Sequence, residues 1–429
     1  MDCQHGGRLE TYFEIGLGPE AARAPEGEDV GPTRKARTMK AGVVQPCANH
    51  EVRIETATCH DFRPTPDKNH TEGDSMPRAA EKTLNRTGWQ GMMLGLWVVM
   101  LLMGGTARAQ ATDTATLTLP NMPLHDPWVL ANEADKTYYL YTSNVATVSG
   151  VSGVGTMAYR SRDLKHWEKP VVVFTASEMK WAQKGGWAPE VHRWKGKYYL
   201  FTTIHDDTKP LPPGRNAVRP TYRRGTISAV SDTPLGPFHP LNPEGPLPPD
   251  DFMTLDGSLY VDPAGKPWLV YAHEWLQKTD GTMEALRLAD DLSKRVGDPI
   301  FLFKASDAPW LDEGVIPSIR SLQYVTDGPE LYRTRDGHLL MLWSSYSNDD
   351  KYIQTVARSK SGSIEGPWEQ LAPLVYEDSG HGMLFHAFDG SLMLILHRPF
   401  HNARGKIYAM KDDGDHLEVV QERTDLDTP

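Results

Sequence analysis

The chain has 429 residues, 39% of them hydrophobic and 24% charged, and a formal net charge of −11. That length suits one large globular domain or two ordinary ones, and an acidic chain without a basic stripe is a poor match to nucleic acid. The three cysteines, Cys3, Cys47 and Cys59, all precede the repeated region described below, which therefore has no disulfide and no thiol nucleophile.

Residues 1–75 are polar, contain Pro and Gly, and lack periodicity. No folded domain is expected there. They read as a disordered extension or as upstream sequence translated from a misplaced start. The strongly apolar run Met92–Gly105 is too short for a comfortable transmembrane helix. Arg78, Lys82 and Arg86 precede it and Ala107-Arg108-Ala109 follows it. A basic region, an apolar core and an A-x-A site describe a secretory signal peptide. Residues 76–109 are read as that leader, with Met76 as its natural start, and a retained anchor is the alternative. The body is then residues 110–429, and its location secreted or periplasmic with no stable membrane span.

From residue 125 onward five stretches begin alike: HDPWVL from His125, APEVHRW from Ala188, LDGSLYVD from Leu255, TDGPELY from Thr326 and GHGMLFH from Gly380. Matching them places Asp126, Glu190, Asp256, Asp327 and His381 in one repeat position. A hydrophobic run follows each: YYLYTS from Tyr138, YYLFTT from Tyr198, PWLVYAHEW from Pro267, LLMLWSSY from Leu339 and LMLILHRP from Leu392. Turns such as Asp336-Gly337-His338 separate the two, with glycine supplying the positive φ of a tight hairpin. A third strand of small residues comes next, as in MAYRS from Met157 and VARSK from Val356. Short fourth pieces close the units, HWEKP from His166, GPFHP from Gly236 and GPWEQ from Gly366. Short β runs with Gly/Pro punctuation predict an all-β protein. Five units of roughly 50 to 70 residues predict a five-bladed β-propeller, whose radial repeat leaves only short sheet edges.

The aromatic and aliphatic runs are core strands. The acids need another reason, because an unpaired carboxylate buried at an axis is costly and packing does not require four of them. Convergent carboxylates around a pocket are what acid-catalysed glycoside hydrolysis uses.

The motifs in this order resemble glycoside hydrolase family 43, five-bladed propeller glycosidases that invert configuration. HDPW resembles the family's first-blade base motif, WAPEV from Trp187 its second-blade WAPDV-type segment, LDGSLYVD its IDPSLFVD-type segment and TDGPELY its EGP-x-LY acid motif. SRDLKHW from Ser161, SDTPLGPF from Ser231 and SGSIEGPW from Ser361 are similar to its inter-strand signatures. The NDPNG, RDP and EC motifs of invertase-like propellers are absent from this sequence.

The resemblance implies Asp126 as general base, Asp256 as the residue that orients the acid and raises its pKa, and Asp327 as general acid. The family's acid is usually Glu, one methylene longer, so Glu190 stands as a rival proton donor or as a ligand to a sugar hydroxyl. It also implies a central, largely water-coordinated calcium ion touched by His381, and no organic cofactor. Arg398 in LHRP resembles an arginine of the sugar subsite, with a salt bridge as the alternative. Trp128 and Trp187 are candidate stacking surfaces, while Trp275 and Trp343 share the expectation that at least half such residues are core. His273 and Glu274 follow the third-blade strand and are candidates for its border. The implied substrate is an arabinose- or xylose-containing plant-wall glycan. An exo-acting α-L-arabinofuranosidase is favoured over β-xylosidase, endo-arabinanase and galactan-specific enzymes. A non-catalytic carbohydrate-binding propeller is the reading from another class. Oligomeric state is not legible.

Overall fold

The computed structural model describes residues 116–428 apart from 216, 218 and 312–323. The boundaries expected at 75 and 109, and the leader between them, lie outside the described residues. Among the described residues no helix is long and apolar enough to cross a membrane.

The alternating runs form five four-stranded antiparallel sheets, each built from one continuous piece of chain. The first contains β1 (Trp128–Asn132), β2 (Thr137–Ser143), β3 (Gly155–Ser161) and β4 (Val171–Thr175). The second contains β5 (Lys184–Trp194), β6 (Lys197–Pro210), β7 (Tyr222–Ser231) and β8 (His239–Pro240). The third contains β9 (Thr254–Val261), β10 (Pro267–His273), β11 (Thr282–Leu288) and β12 (Arg295–Lys304). The fourth contains β13 (Asp327–Arg333), β14 (Leu339–Tyr346), β15 (Tyr352–Ser359) and β16 (Trp368–Gln370). The fifth contains β17 (Gly380–His386), β18 (Leu392–Arg398), β19 (Arg404–Asp412) and β20 (Leu417–Glu422). These are the five blades of a propeller, with the acid-bearing strands innermost.

Second strands are buried on both faces, so β2 and β14 are buried along their whole length. That is why they read as continuous apolar runs. One expected strand is displaced. HWEKP is a turn rather than the outer strand of the first blade, because Trp167 is fully buried and its indole N–H donates to Leu164 O. The outer strand is VVVFT, residues 171–175. The ring closes by packing: Tyr138 stacks on Phe388 at 4.1 Å and its hydroxyl accepts from Phe388 N–H. The segment before β1 adds Leu119, Met122 and Leu124 to the core, and Leu124 N–H donates to Ala403 O of the fifth blade.

Candidate active site

Five residues on the inner strands, or just before them, have positive φ: Asp126 at 49°, Ala188 at 43°, Asp256 at 57°, Gly328 at 50° and His381 at 50°. Non-glycine residues held there cost on the order of 1–3 kcal/mol each. In the last four blades the pairing with the next strand slips at this point. A bulge adds one residue, bends the strand and re-aims a side chain. Here the re-aimed side chains point at the propeller axis.

This ring corrects the repeat alignment. The backbone equates Ala188 and Gly328 with Asp126, Asp256 and His381. Asp327 stands one residue earlier, and Glu190 is matched by Glu330, each two residues beyond the bulge. Two strand residues advance about 6.6 Å, so Glu190 and Glu330 occupy a deeper level. They line an axial cavity together with Trp128, Met383, Asp126 and His381. Glu330 lies three residues beyond Asp327 and would face away from it in an unbroken strand; the bulge between them cancels that alternation.

At the upper level, His381 Nδ1 lies 3.2 Å from Asp126 Oδ1, 3.9 Å from Asp256 Oδ2 and 3.9 Å from Asp327 Oδ1. Three carboxyls from three blades thus meet around one imidazole. Their electrostatics differ. Burial alone would raise the pKa of Asp126, but the imidazoles of His125 and His381 and a bond with His397 hold it well below the ordinary value. His125 Nδ1 sits 2.8 Å from Asp126 Oδ1 and stacks on His397 at 4.1 Å. Burial works against a charge on His125, yet its pKa is raised because Asp126 is beside it. Asp126 is therefore an ionised carboxylate.

Asp256 goes the other way. Burial, then the charge of Asp327 and a hydrogen bond with it, push its pKa well above normal. Two hydrogen-bonded carboxyls must hold a proton between them. Thr203 Oγ accepts from Asp256 N–H at 2.9 Å, and Gly328 N–H donates to Asp256 Oδ2 at 3.3 Å. Asp327 is the more open of the pair, its side chain 14% exposed against 5%. It also accepts a 2.7 Å hydrogen bond from the Tyr352 hydroxyl on Oδ2.

At the lower level, burial raises Glu190 well above normal, with Ser258 and His381 offsetting part of that effect. Its Oε2 lies 2.9 Å from His192 Nε2, an imidazole that burial depresses to about 3. Glu330 is likewise raised by burial and then by Glu190, although Leu384 N–H donates to its Oε2 at 2.8 Å. Burial thus favours the neutral form of both.

The remaining candidates separate by burial. Trp187, partly exposed, stands beside the second-blade bulge with the Arg224 guanidinium over its ring at 4.5 Å and His205 against it at 4.8 Å. Trp128 is buried, its indole N–H donating to Val191 O at 3.0 Å and its ring against His192. It also borders the axial cavity, whereas Trp275 and Trp343 are buried in the core. Arg398 takes the salt-bridge alternative: it pairs with Glu377, forms two bonds to Glu422 and donates to the Tyr408 hydroxyl. Glu274 forms a buried 2.6 Å ion pair with Arg224 and lies near enough to Asp327 for the charges to interact. His273 is internal, held between Glu284 and Gln277.

The residues missed from sequence are His125, His397, Tyr352, Arg224 and Glu330. His125 was visible as the first letter of HDPW, and Glu330 as the second acid of TDGPE. Tyr352 and His397 read as ordinary strand residues.

Comparison with known proteins points one way. A family model described as Glycosyl hydrolases family 43 matches residues 120–415. A crystal structure of an endo-arabinase from Bacteroides thetaiotaomicron VPI-5482 superposes with a TM-score of 0.61 at 38% identity, covering 70% of this chain and 99% of that one. The extracellular exo-alpha-(1->5)-L-arabinofuranosidase ArbA of Cellvibrio japonicus is 24% identical over 305 residues, 64% of this chain and 78% of its own. The probable arabinan endo-1,5-alpha-L-arabinosidase D of Emericella nidulans is 25% identical over 232 residues, 51% of this chain. The match spans only 55% of that relative's length.

Proposed function

We propose a function from one premise: the chain belongs to family 43 of the glycosyl hydrolases. It hydrolyses glycosidic bonds of arabinose-containing plant-wall glycans, with α-L-arabinofuranosyl linkages as the preferred target. The observation that carries this reading is the upper cluster, where an ionised Asp126 faces a proton-sharing Asp256–Asp327 pair across His381.

In this reading Asp126 accepts a proton from the attacking water. Asp327, the more open of the pair, delivers the proton held with Asp256 to the leaving oxygen. Water attacks from the side opposite the leaving group, so configuration inverts. Glu190, whose neutral form burial favours, is a pocket-lining group deeper on the axis rather than the donor. Trp187 offers the one partly exposed indole beside the cluster among the candidates, and is assigned to sugar stacking.

Calcium takes oxygen ligands. Glu190, Glu330 and His381 line one cavity and so offer carboxyl oxygens and an imidazole to a hard cation. These donor types suit such an ion, although the three side chains do not converge to within 4.8 Å of one another as Asp256, Asp327 and His381 do; a bound ion would draw both carboxyls into their charged form. Release from the cell, through residues 76–109 as leader, belongs to the same proposal and agrees with the extracellular designation of ArbA.

An endo-acting reading is favoured by the endo-arabinase that shares 38% identity over 99% of its length. Debranched arabinan decides between them: single arabinose from the first minutes supports exo action, and a ladder of oligosaccharides supports endo action. A panel of 4-nitrophenyl α-L-arabinofuranoside, β-D-xyloside and β-D-galactoside tests the sugar. Turnover confined to xyloside or galactoside would overturn the arabinose assignment. Binding of arabinan without turnover of any substrate would replace the enzyme by a carbohydrate-binding propeller.

A further inference from the structure

Among the groups around the cluster, one buried phenol touches the acid and has no part in the chemistry above. Tyr352 opens β15 and is 0% exposed. Its hydroxyl donates to Asp327 Oδ2 at 2.7 Å. The ring is clamped on several sides. It lies parallel to the His397 imidazole, 7° apart in plane and 5.4 Å between centroids. Tyr346 packs at 5.1 Å and Phe400 meets it edge-on at 5.0 Å. Gly380 leaves the room it needs: a Cβ there would stand 2.5 Å from Tyr352 Cε1. His397, the far side of the stack, hydrogen-bonds Asp126. One rigid pair of rings therefore joins the base to the acid.

We propose that Tyr352 is a positioning residue for the general acid, fixing which oxygen of Asp327 delivers the proton. This rests on Asp327 being the acid. An aspartate is shorter by one methylene than the glutamate usual at this position, so its reach depends on how the carboxyl is turned. The phenol occupies Oδ2 and leaves Oδ1, the oxygen on the His381 side, to carry the transferable proton. Burial and then the charges of Asp327 and Asp126 raise the phenol well above its ordinary range, so it stays a donor. As Asp327 loses its proton to the leaving oxygen, the Tyr352 bond becomes charge-assisted and shortens. It is therefore stronger after proton transfer than before it, which is the condition for an interaction to accelerate a reaction.

Tyr352→Phe keeps the ring stack and removes only the hydroxyl. The test compares wild type, Tyr352→Phe, Asp327→Asn and the double variant. Substrates are arabino-oligosaccharides, with a poor leaving group, and the 2,4-dinitrophenyl arabinofuranoside, with a good one. Loss of one charge-assisted hydrogen bond is expected to lower kcat on the oligosaccharides roughly 10- to 100-fold, with KM nearly unchanged. The dinitrophenyl substrate should lose less than about threefold, because it departs without protonation. In the double variant the tyrosine change should add little to Asp327→Asn. An equal loss on both substrates, or none on either, overturns the proposal, as does a full additional loss in the double variant. A melting temperature within a few degrees of wild type is expected, and a large drop accompanied by equal losses would make Tyr352 structural. If Asp327→Asn itself lacks the leaving-group pattern, the acid assignment fails instead, independently of Tyr352.

Discussion

The propeller axis carries carboxyls at two levels, and the two behave oppositely. The upper level mixes a strongly ionised Asp126 with a pair that shares a proton, all within reach of His381. The lower level holds Glu190 and Glu330, both pushed by burial toward the neutral form. The same residue type, on the same inner strands, is charged where imidazoles and neighbouring carboxyls surround it and neutral where burial outweighs its partners. Chemistry requires the first arrangement. The second is suited to packing, or to ionising when a cation arrives.

The largest effect should come from breaking the upper level at its charged end. Asp126→Asn removes the acceptor for the water's proton and should lower turnover by roughly 10²- to 10⁴-fold. The loss should be the same for good and poor leaving groups, as read from kcat on both kinds of arabinofuranoside. Residual activity near wild type would move the base elsewhere. Proton NMR of the first-formed sugar should show the anomer opposite to that of the substrate, and the retained anomer would contradict single-step attack by water.

A smaller effect is expected at the lower level. Exhaustive chelation, or His381→Ala, should lower the melting temperature by several degrees. His381→Ala should also cost activity, because its Nδ1 touches Asp126. Elemental analysis finding no metal, with melting unchanged by chelator, would remove calcium from the account.

The smallest effect is a pH slope. Glu190 and Glu330 have folded pKa values raised above the ordinary 4.5. The folded chain thus holds protons that the unfolded chain releases as pH rises through that value. Their contribution to stability is full below pH 4.5 and is lost as pH climbs toward the folded pKa values. In chelated protein, Glu330→Gln should flatten the fall of melting temperature between pH 4.5 and 7. An unaltered slope would mean that Glu330 is ionised in the fold.

Much of this architecture was legible in the chain. The runs YYLYTS, YYLFTT and LLMLWSSY lie in β2, β6 and β14, because strands buried on both faces must be apolar throughout. Asp126 and Asp256 could be placed at the axis because they stand 12 and 11 residues before such runs. The fourth blade was harder. Asp327 has the sequence neighbours of the family acid, but Gly328 takes the positive φ, so the matching of Glu190 with Asp327 was off by a bulge. Period-two alternation alone would also turn Glu330 away from Asp327, and only the bulge between them undoes that. Tyr352 was invisible for another reason: a buried tyrosine in a strand looks like core until its hydroxyl is seen on Asp327. Arg398 illustrates the converse, since resemblance suggested a sugar contact whereas its partner Glu422 is within the protein.

The contrast between the two levels is tested most directly by one comparison of Asp327→Asn with Glu190→Gln. Each is assayed on natural arabino-oligosaccharides and on the 2,4-dinitrophenyl arabinofuranoside. The account expects Asp327→Asn to lose roughly 10²- to 10⁴-fold on the oligosaccharides and far less on the activated glycoside. Glu190→Gln, which exchanges the carboxyl for an amide of the same shape, should keep the wild-type ratio between the two substrates. If Glu190→Gln shows the leaving-group-dependent loss and Asp327→Asn does not, the proton comes from the lower level, and the division of roles between the two levels is wrong.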